Sequence, residues 1–357
     1  MQEPSTLYEV VSDLVHTPQI RGLNLIMGLT GAAEAGQAAD QIRTELLDRL
    51  EHELVIEFDA DALYDYRDRR PIIAFDGDHF ADYEQPRLQV HVLKDETGQP
   101  FLMLSGFEPD YQWERFARAV VGLVQQLDVR LVSWVHSLPL PVPHTRPLAV
   151  TAHGNRPDLI EGISAWKPTA RMSATVGQLL EMRLAEAGKD VVGFAVHVPH
   201  YLSEARFPQA AVTGLEHLAA AASLMLPSDR LREAGRELEK SIDEQVASSE
   251  EVRELVHGLQ RQYDEYRQGQ EPRRSLLAGP DGELPDADEL GAAVEAYLAT
   301  MDADDPDQLT LDTPPAETDD HPDAPSADAP SADGTDRAET DGTDTEGTGP
   351  DGGDPQH

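Results

Sequence analysis

The stretch from Leu23 to Gly36 constrains the fold more than any other part of this chain. An apolar run of strand character, residues 23–27, enters a glycine-spaced turn, and apolar side chains then recur at spacings of three and four. That pattern predicts a strand, a loop and an amphipathic helix, which form the first unit of an α/β domain. We expect the loop to lie outside the carboxyl ends of the strands, where such sheets place ligands.

The same loop argues against a nucleotide-phosphate site. Gly31 and Gly36 have the spacing of a P-loop, but Gln37 and Ala38 stand where that loop has Lys and Ser or Thr. Glu34 is expected in the first turn of the helix, where its carboxylate would satisfy the positive helix end and repel a phosphate. The loop is therefore interpreted as a tight turn that needs glycine, as a ligand-facing loop, or as both.

Composition excludes several classes of site. The 357 residues include no cysteine, which excludes disulfides, thiol nucleophiles and zinc–thiolate centres. The net charge is −39, and residues 302–357 hold 18 acidic residues and one basic residue. Nucleic acid is not expected as a partner, because phosphate contacts need clustered Lys and Arg. Without a signal-like start or a membrane-length apolar run, we expect a cytoplasmic protein with no membrane contact.

Strand-like and helix-like segments alternate along residues 1–227 and predict a three-layer α/β/α domain with a mostly parallel sheet. Residues 228–301 predict a C-terminal helical extension, with helices over about 228–268 and 286–301. Residues 302–357 contain almost no large apolar side chains, so we expect a disordered acidic tail. The predicted strands cover residues 23–27, 55–58, 88–92, 101–104, 129–135, 148–152 and 191–198, and the predicted domain helices cover 113–127, 174–187 and 208–226.

Five short motifs occur in a fixed order within residues 8–267. They are the Gly31–Gly36 turn with Gln37-Ala38-Ala39, Tyr64-Asp65-Tyr66 with Arg69-Arg70-Pro71, Ser105-Gly106-Phe107-Glu108-Pro109 with Trp113 and Phe116, the run 141–147 (PVPHTRP) and the run 193–201 (GFAVHVPHY). Together they resemble the proteasome-assembly-chaperone family of the second chaperone's type, in its bacterial branch. The chain departs from that family at Glu34, where Asp is usual, and its last residues lack the hydrophobic-Tyr tail by which eukaryotic members dock, so docking of that kind is not expected.

The resemblance implies a fold like that of the purine nucleoside phosphorylases, assembled into small homo-oligomers with a trimer as the first expectation. It implies protein partners, which include the chain itself and proteasome subunits, and no settled activity. A first hypothesis is therefore a non-catalytic, assembly-chaperone-like protein. The alternative is a small-molecule protein or enzyme that binds a nucleoside or an anion in the cleft at the strand ends.

Chemistry-bearing side chains fall at or just after predicted strand ends, where a parallel sheet would bring many of them to one edge. A histidine–glutamate pair there could exchange protons, and histidines with a carboxylate could hold a metal. Hydrogen-bonded core histidines are the simpler interpretation, so no metal and no cofactor are expected. A serine hydrolase is not expected, because the Gly-x-Ser-x-Gly motif is absent. The candidate cleft residues are Gly31, Glu34, Gly36, Glu108, His136, His144, Arg146, His197 and His200.

Two arginine motifs have simpler structural interpretations. Arg146 could bind an anion, but an ion pair with Glu108 or Asp110 is favoured. The Arg69–Arg70 pair beside Asp65 and Asp68 is interpreted as a solvated salt-bridge network.

The charged segment 228–268 carries an apolar stripe too thin for a core of its own. The stripe must cover the chain's own sheet layer or pack on a neighbouring subunit, as narrow apolar seams with charged flanks often do. Closed symmetric assemblies are the usual result of the second arrangement. The predicted oligomer contact consists of Leu238, Ile242, Leu259 and Tyr263.

Overall fold

The computed structural model describes residues 3–31, 34–164, 169 and 171–268. The predicted helix over 286–301 and the predicted disordered tail over 302–357 lie outside the described residues. No helix of the described part combines the length and the apolar character needed to cross a bilayer.

Strands and helices alternate as the sequence predicts. The strands are β1 (Tyr8–Val10), β2 (Leu25–Thr30), β3 (His52–Phe58), β4 (Ala74–Asp76), β5 (His79–Ala81), β6 (Leu88–Lys94), β7 (Pro100–Phe107), β8 (Val132–Leu140), β9 (Val150–Gly154) and β10 (Val191–Pro199). The helices are α1 (Ala38–Arg49), α2 (Ala60–Leu63), α3 (Trp113–Gln126), α4 (Pro157–Ile160), α5 (Val176–Glu186), α6 (Pro208–Ala222), α7 (Asp229–Ser248) and α8 (Glu250–Gln268).

Eight of these strands form one sheet in the order β1-β3-β6-β7-β2-β8-β10-β9. The central strands β7, β2, β8 and β10 are parallel to one another. The flanking strands β1, β3 and β6 on one side and β9 on the other pair antiparallel. Strands β4 and β5 form a separate hairpin. The predicted α/β class is confirmed, with the parallel strands at the centre of a mixed sheet.

Helices cover both faces of the sheet, which confirms the three-layer arrangement. On one face, α3 and α5 contribute fully buried side chains such as Phe116 and Leu180. On the other face, α1 and α6 contribute Ile42 and Leu215. Each such side chain stabilises the fold by roughly 1.5–3 kcal/mol when it is removed from water.

The connections of two neighbouring strands leave the sheet in opposite directions. Strand β2 leads to α1 on one face, and its parallel neighbour β7 leads to α3 on the other face. This divergence opens a crevice outside the carboxyl ends of β2 and β7, which is the usual ligand position in open α/β sheets.

The helical extension packs on the domain from which it emerges. Helix α7 contacts α6, and α8 contacts α7. The Gln260 amide donates to Thr145 Oγ1 at 2.7 Å, and the Tyr263 hydroxyl donates to the Pro147 carbonyl oxygen at 2.9 Å. Ile242 and Leu259 are each only 7% exposed.

The apolar stripe of residues 228–268 is therefore covered only in part within a single copy of the chain, since Val252 and Leu255 are 40% and 48% exposed. Leu238 is partly buried and packs against the core formed with α1 and α6. Ile242 and Leu259 are thus buried by their own domain, and the predicted oligomer contact through Leu238, Ile242, Leu259 and Tyr263 stays a prediction.

Candidate functional site

A cavity of about 670 Å³ lies in the crevice at the carboxyl ends of β2 and β7. The last residues of these two strands, Thr30 and Phe107, form part of its wall. Its charged lining comes from α1 and from the chain segments on either side of the β4–β5 hairpin. The lining includes the arginines Arg43, Arg69, Arg70 and Arg87 and the acids Asp68 and Glu84.

Arg69 is held in place by contacts on several sides. Its guanidinium donates to the Asp110 carboxylate and lies 5.2 Å from the ring centroid of Phe107 and 5.9 Å from that of Tyr64. Its Nε is buried and makes no hydrogen bond to any described residue. The predicted network with Asp68 is present, since Arg69 Nε lies 3.9 Å from Asp68 Oδ2, and Asp110 is a closer partner that the sequence did not indicate.

Tyr64 links the cavity wall to the sheet. Its hydroxyl donates to the Phe107 carbonyl oxygen at 2.9 Å, and burial raises the pKa of the phenol above its ordinary value. The Asp110 carboxylate, besides holding Arg69, accepts the Asp65 amide at 2.7 Å. The Tyr64–Arg69 segment is thus fixed against the end of β7.

The β4–β5 hairpin exposes apolar side chains next to this cavity. Phe75 and Phe80 face each other across the hairpin with ring centroids 5.2 Å apart, and they are 63% and 69% exposed. Ile72 is 65% exposed and Tyr83 is 54% exposed. We refer to residues 72–83 as the aromatic hairpin. Contiguous exposed apolar surface of this kind marks binding sites for other molecules.

A second polar cluster lies between α5 and the strands β8, β9 and β10, with Trp134 and His136 buried and His153 and Glu181 partly exposed. Glu181 accepts hydrogen bonds from Trp134 Nε1 at 2.7 Å and from His153 Nδ1 at 2.9 Å. His153 Nε2 lies 3.0 Å from Nε2 of His136, whose ring stacks on Trp134. Burial lowers the pKa of His136 to about 3, so that ring is neutral at physiological pH. An added Cβ at Gly193 would lie 2.1 Å from His153 Cε1, so this glycine makes room for the cluster.

This cluster has little room for a ligand. The recess beside His136, which Gly31 and Glu108 also line, measures about 20 Å³. Glu108 Oε2 accepts the amide of Val176, the first residue of α5, at 2.8 Å. An added Cβ at Gly31 would lie 2.3 Å from Glu108 Oε1, so the close approach of the carboxylate explains that glycine. The arrangement is that of a partly buried hydrogen-bonded cluster.

Glu34 lies ahead of α1 instead of within its first turn. Its Oε1 accepts the Asp40 amide at 2.9 Å, so the carboxylate does satisfy the positive helix end, as predicted. Burial raises the pKa of Glu34 to about 7. Gly36 has φ +69°, and an added Cβ there would lie 2.9 Å from Phe207 Cβ, which explains the glycine.

The remaining candidate residues lie elsewhere. Arg146 pairs with Asp264 of α8 at 2.9 and 2.7 Å, which corrects the expected partner, Glu108 or Asp110. His144 contacts the Tyr201 hydroxyl at 2.7 Å, and His144 and Arg146 border a different cavity, of about 560 Å³, beside α6 and α7.

The last two histidines make local contacts. His197 contacts Thr151 Oγ1 at 2.9 Å, and burial lowers its pKa to about 4. The ring of His200 packs edge-on against that of Tyr201. The nine candidates are therefore distributed over several places and do not line one cleft. Among the described residues, no three His, Asp or Glu side chains are grouped as a metal site would require.

The chain is similar to a known protein family. The model of the PAC2 family matches residues 25–246. None of the curated proteins compared matches the chain significantly.

Three solved structures illustrate the likeness. A Mycobacterium tuberculosis protein of unknown function is 41% identical, with 75% of this chain and 92% of that chain covered and a TM-score of 0.69. A Corynebacterium glutamicum protein of unknown function is 36% identical, with 74% of this chain and 99% of that chain covered and a TM-score of 0.70. A Mycobacterium tuberculosis proteasome-assembly chaperone homologue is 22% identical, with 66% of this chain and 100% of that chain covered and a TM-score of 0.60. At that identity, the third likeness concerns the fold alone.

Proposed function

The chain belongs to the PAC2 family, and from this premise we propose that it is a chaperone-like cytoplasmic protein that acts by binding other proteins and not by catalysis. One observation carries the proposal, namely the aromatic hairpin with its exposed Phe75 and Phe80. Burial of two such rings against a partner would contribute roughly 1.5–3 kcal/mol each. Clustered aromatic side chains of this kind are the usual energetic centre of a protein interface.

Proteasome subunits are the partners that we propose. The motive is the fold neighbour from Mycobacterium tuberculosis that is described as a proteasome-assembly chaperone homologue. Nucleic acid is not a proposed partner, because a net charge of −39 opposes binding to phosphate backbones.

We also propose that the chain forms a homo-oligomer, with a trimer as the expected state. Ile242 and Leu259 are buried within one copy. The part of the apolar stripe that stays partly exposed, with Leu238 and Tyr263, is the surface that we propose for the subunit contact.

Light scattering coupled to size exclusion tests both parts of this proposal. For the full chain alone, the molar mass measured by light scattering is expected to be three times the 39.2 kDa of one chain. A mixture with purified proteasome α subunits from the same organism is expected to give a new peak that contains both proteins. A monomeric chain would contradict the oligomer, and separate peaks at concentrations of about 10 µM would contradict the chaperone-like role.

A further inference from the structure

We propose that the arginine-lined cavity at the ends of β2 and β7 binds a small organic phosphate. This goes beyond protein binding and concerns a different surface from the tip of the aromatic hairpin. The position is the first argument, because β2 and β7 are adjacent parallel strands whose following helices pack on opposite faces. Ligands of open α/β sheets bind at such a divergence.

The charge of the lining is the second argument. Four arginines face two acids in this cavity, although the whole chain carries a net charge of −39. Within the described part of the chain, no carboxylate lies within 4 Å of the guanidinium of Arg70 or of Arg87, whereas Arg43 pairs with Asp40. An anion bound by the guanidinium groups of Arg70 and Arg87 would accept charge-assisted hydrogen bonds from them.

Arg69 supplies the third argument, which is preorganisation. The contacts with Asp110, Phe107 and Tyr64 hold its guanidinium at the cavity wall before any ligand arrives. The Arg69 side chain keeps 27% of its surface exposed and lines the cavity, so it can still contact a ligand. A guanidinium that is already oriented loses little entropy when it binds, and the planar fork of arginine matches phosphate oxygens.

The size and the remaining lining favour an organic phosphate over inorganic phosphate. A volume of about 670 Å³ is in the range of small-molecule sites, about 300–1,000 Å³, and far exceeds a single phosphate group. Pro71, Ile72, Pro86 and Phe107 add apolar surface to the wall. We therefore assign the arginines to the phosphate and this apolar wall to the carbon portion of the ligand.

Calorimetric titration of the full chain at low salt tests the proposal with three probes: phenyl phosphate, inorganic phosphate and phenol. We expect phenyl phosphate to bind in a one-to-one ratio with Kd below about 1 mM. Inorganic phosphate is expected to bind about 10-fold more weakly, and phenol is expected to show no binding. Equal affinity for the two phosphates would overturn the assignment of the apolar wall.

The variant R70Q/R87Q removes two guanidinium groups that make no ion pair among the described residues, so its fold is expected to persist. Its affinity for phenyl phosphate should fall by about 10-fold or more, because hydrogen bonds to charged groups contribute about 1.5–3 kcal/mol. R130Q is the matched control, since Arg130 precedes β8 at the amino ends of the parallel strands. If the double variant unfolds, the affinities of the single variants R70Q and R87Q for phenyl phosphate are the test. An absence of phenyl phosphate binding at about 10 mM, or full binding by the variants, would overturn the proposal.

Discussion

The guanidinium of Arg146 and the carboxylate of Asp264 form a two-point ion pair between residues 118 positions apart. Arg146 lies in the loop between β8 and β9, and Asp264 lies near the end of α8. The pair therefore fastens the end of the described helical extension to the α/β domain. Arg146 lowers the pKa of Asp264 by hydrogen bonding to its charged form.

Removing this pair should loosen the extension without unfolding the domain. In D264N the amides of α8 are expected to exchange hydrogen up to about fivefold faster, because a partly exposed ion pair contributes little stability. Amides of the central strand β10 should be unaffected. E254Q, at an exposed acid of the same helix with no ion pair among the described residues, is the control. Unchanged exchange in D264N would show that apolar packing alone holds α8.

Glu34 should make the stability of the protein depend on pH. The folded state holds the Glu34 proton more tightly than the unfolded chain, since burial raises its pKa from 4.5 to about 7. Its contribution to stability is therefore fully present below pH 4.5 and is lost as the pH rises to about 7. The variant E34Q does not titrate in this range, so it should not lose this stability as the pH rises. Its amide oxygen can still accept the Asp40 N–H. In urea unfolding, we expect the free energy of unfolding of E34Q, measured relative to that of the wild type, to rise by roughly 1–3 kcal/mol between pH 4.5 and 7. If the free energies of unfolding of the two proteins change in parallel with pH, that result would contradict the burial of Glu34.

Gly193 should tolerate no side chain. An added Cβ would lie 2.1 Å from His153 Cε1 and 2.6 Å from Trp134 Nε1, so G193A must displace the side chains of this cluster. We expect a loss of about 1–3 kcal/mol in the free energy of unfolding. Gly122 in α3 is the matched control, because an added Cβ meets nothing within 4 Å. G122A should be neutral or stabilise by about 0.5–1 kcal/mol. Equal stability of the two variants would mean that the cluster repacks without cost.

The sequence predicted the elements of this fold better than their ends. The apolar run 101–104 identified β7, yet the strand continues to Phe107. Gly106 makes this possible, because it takes φ +144° and an added Cβ would lie 2.5 Å from the Arg87 carbonyl oxygen. Local hydrophobic patterns do not indicate when a glycine continues a strand through such a close approach.

The candidate site was only partly accessible from the sequence. The position at the strand ends follows from the α/β pattern, but the arginines that line the cavity come from α1 and from segments flanking the hairpin. The pairs Arg69–Asp110 and Arg146–Asp264 join distant segments, which local spacing cannot identify. His153 and Glu181 were missed for the same reason, although Gly193 marks the space that their cluster occupies.

The aromatic hairpin illustrates the same limit. Asp76-Gly77 is a recognisable turn signal. That signal does not indicate the exposure of Phe75 and Phe80, because their exposure depends on which neighbours cover the hairpin.

The central claim is that the aromatic hairpin binds a protein partner, and its most direct test is the affinity of F75S/F80S for purified proteasome α subunits. We expect its Kd to exceed that of the wild type by about 30-fold or more, since two aromatic anchors are lost. M182S/M225S removes two exposed apolar side chains away from the hairpin, which are 48% and 56% exposed, and should leave the Kd unchanged. Equal affinity of F75S/F80S and the wild type, with both folded, would contradict the account.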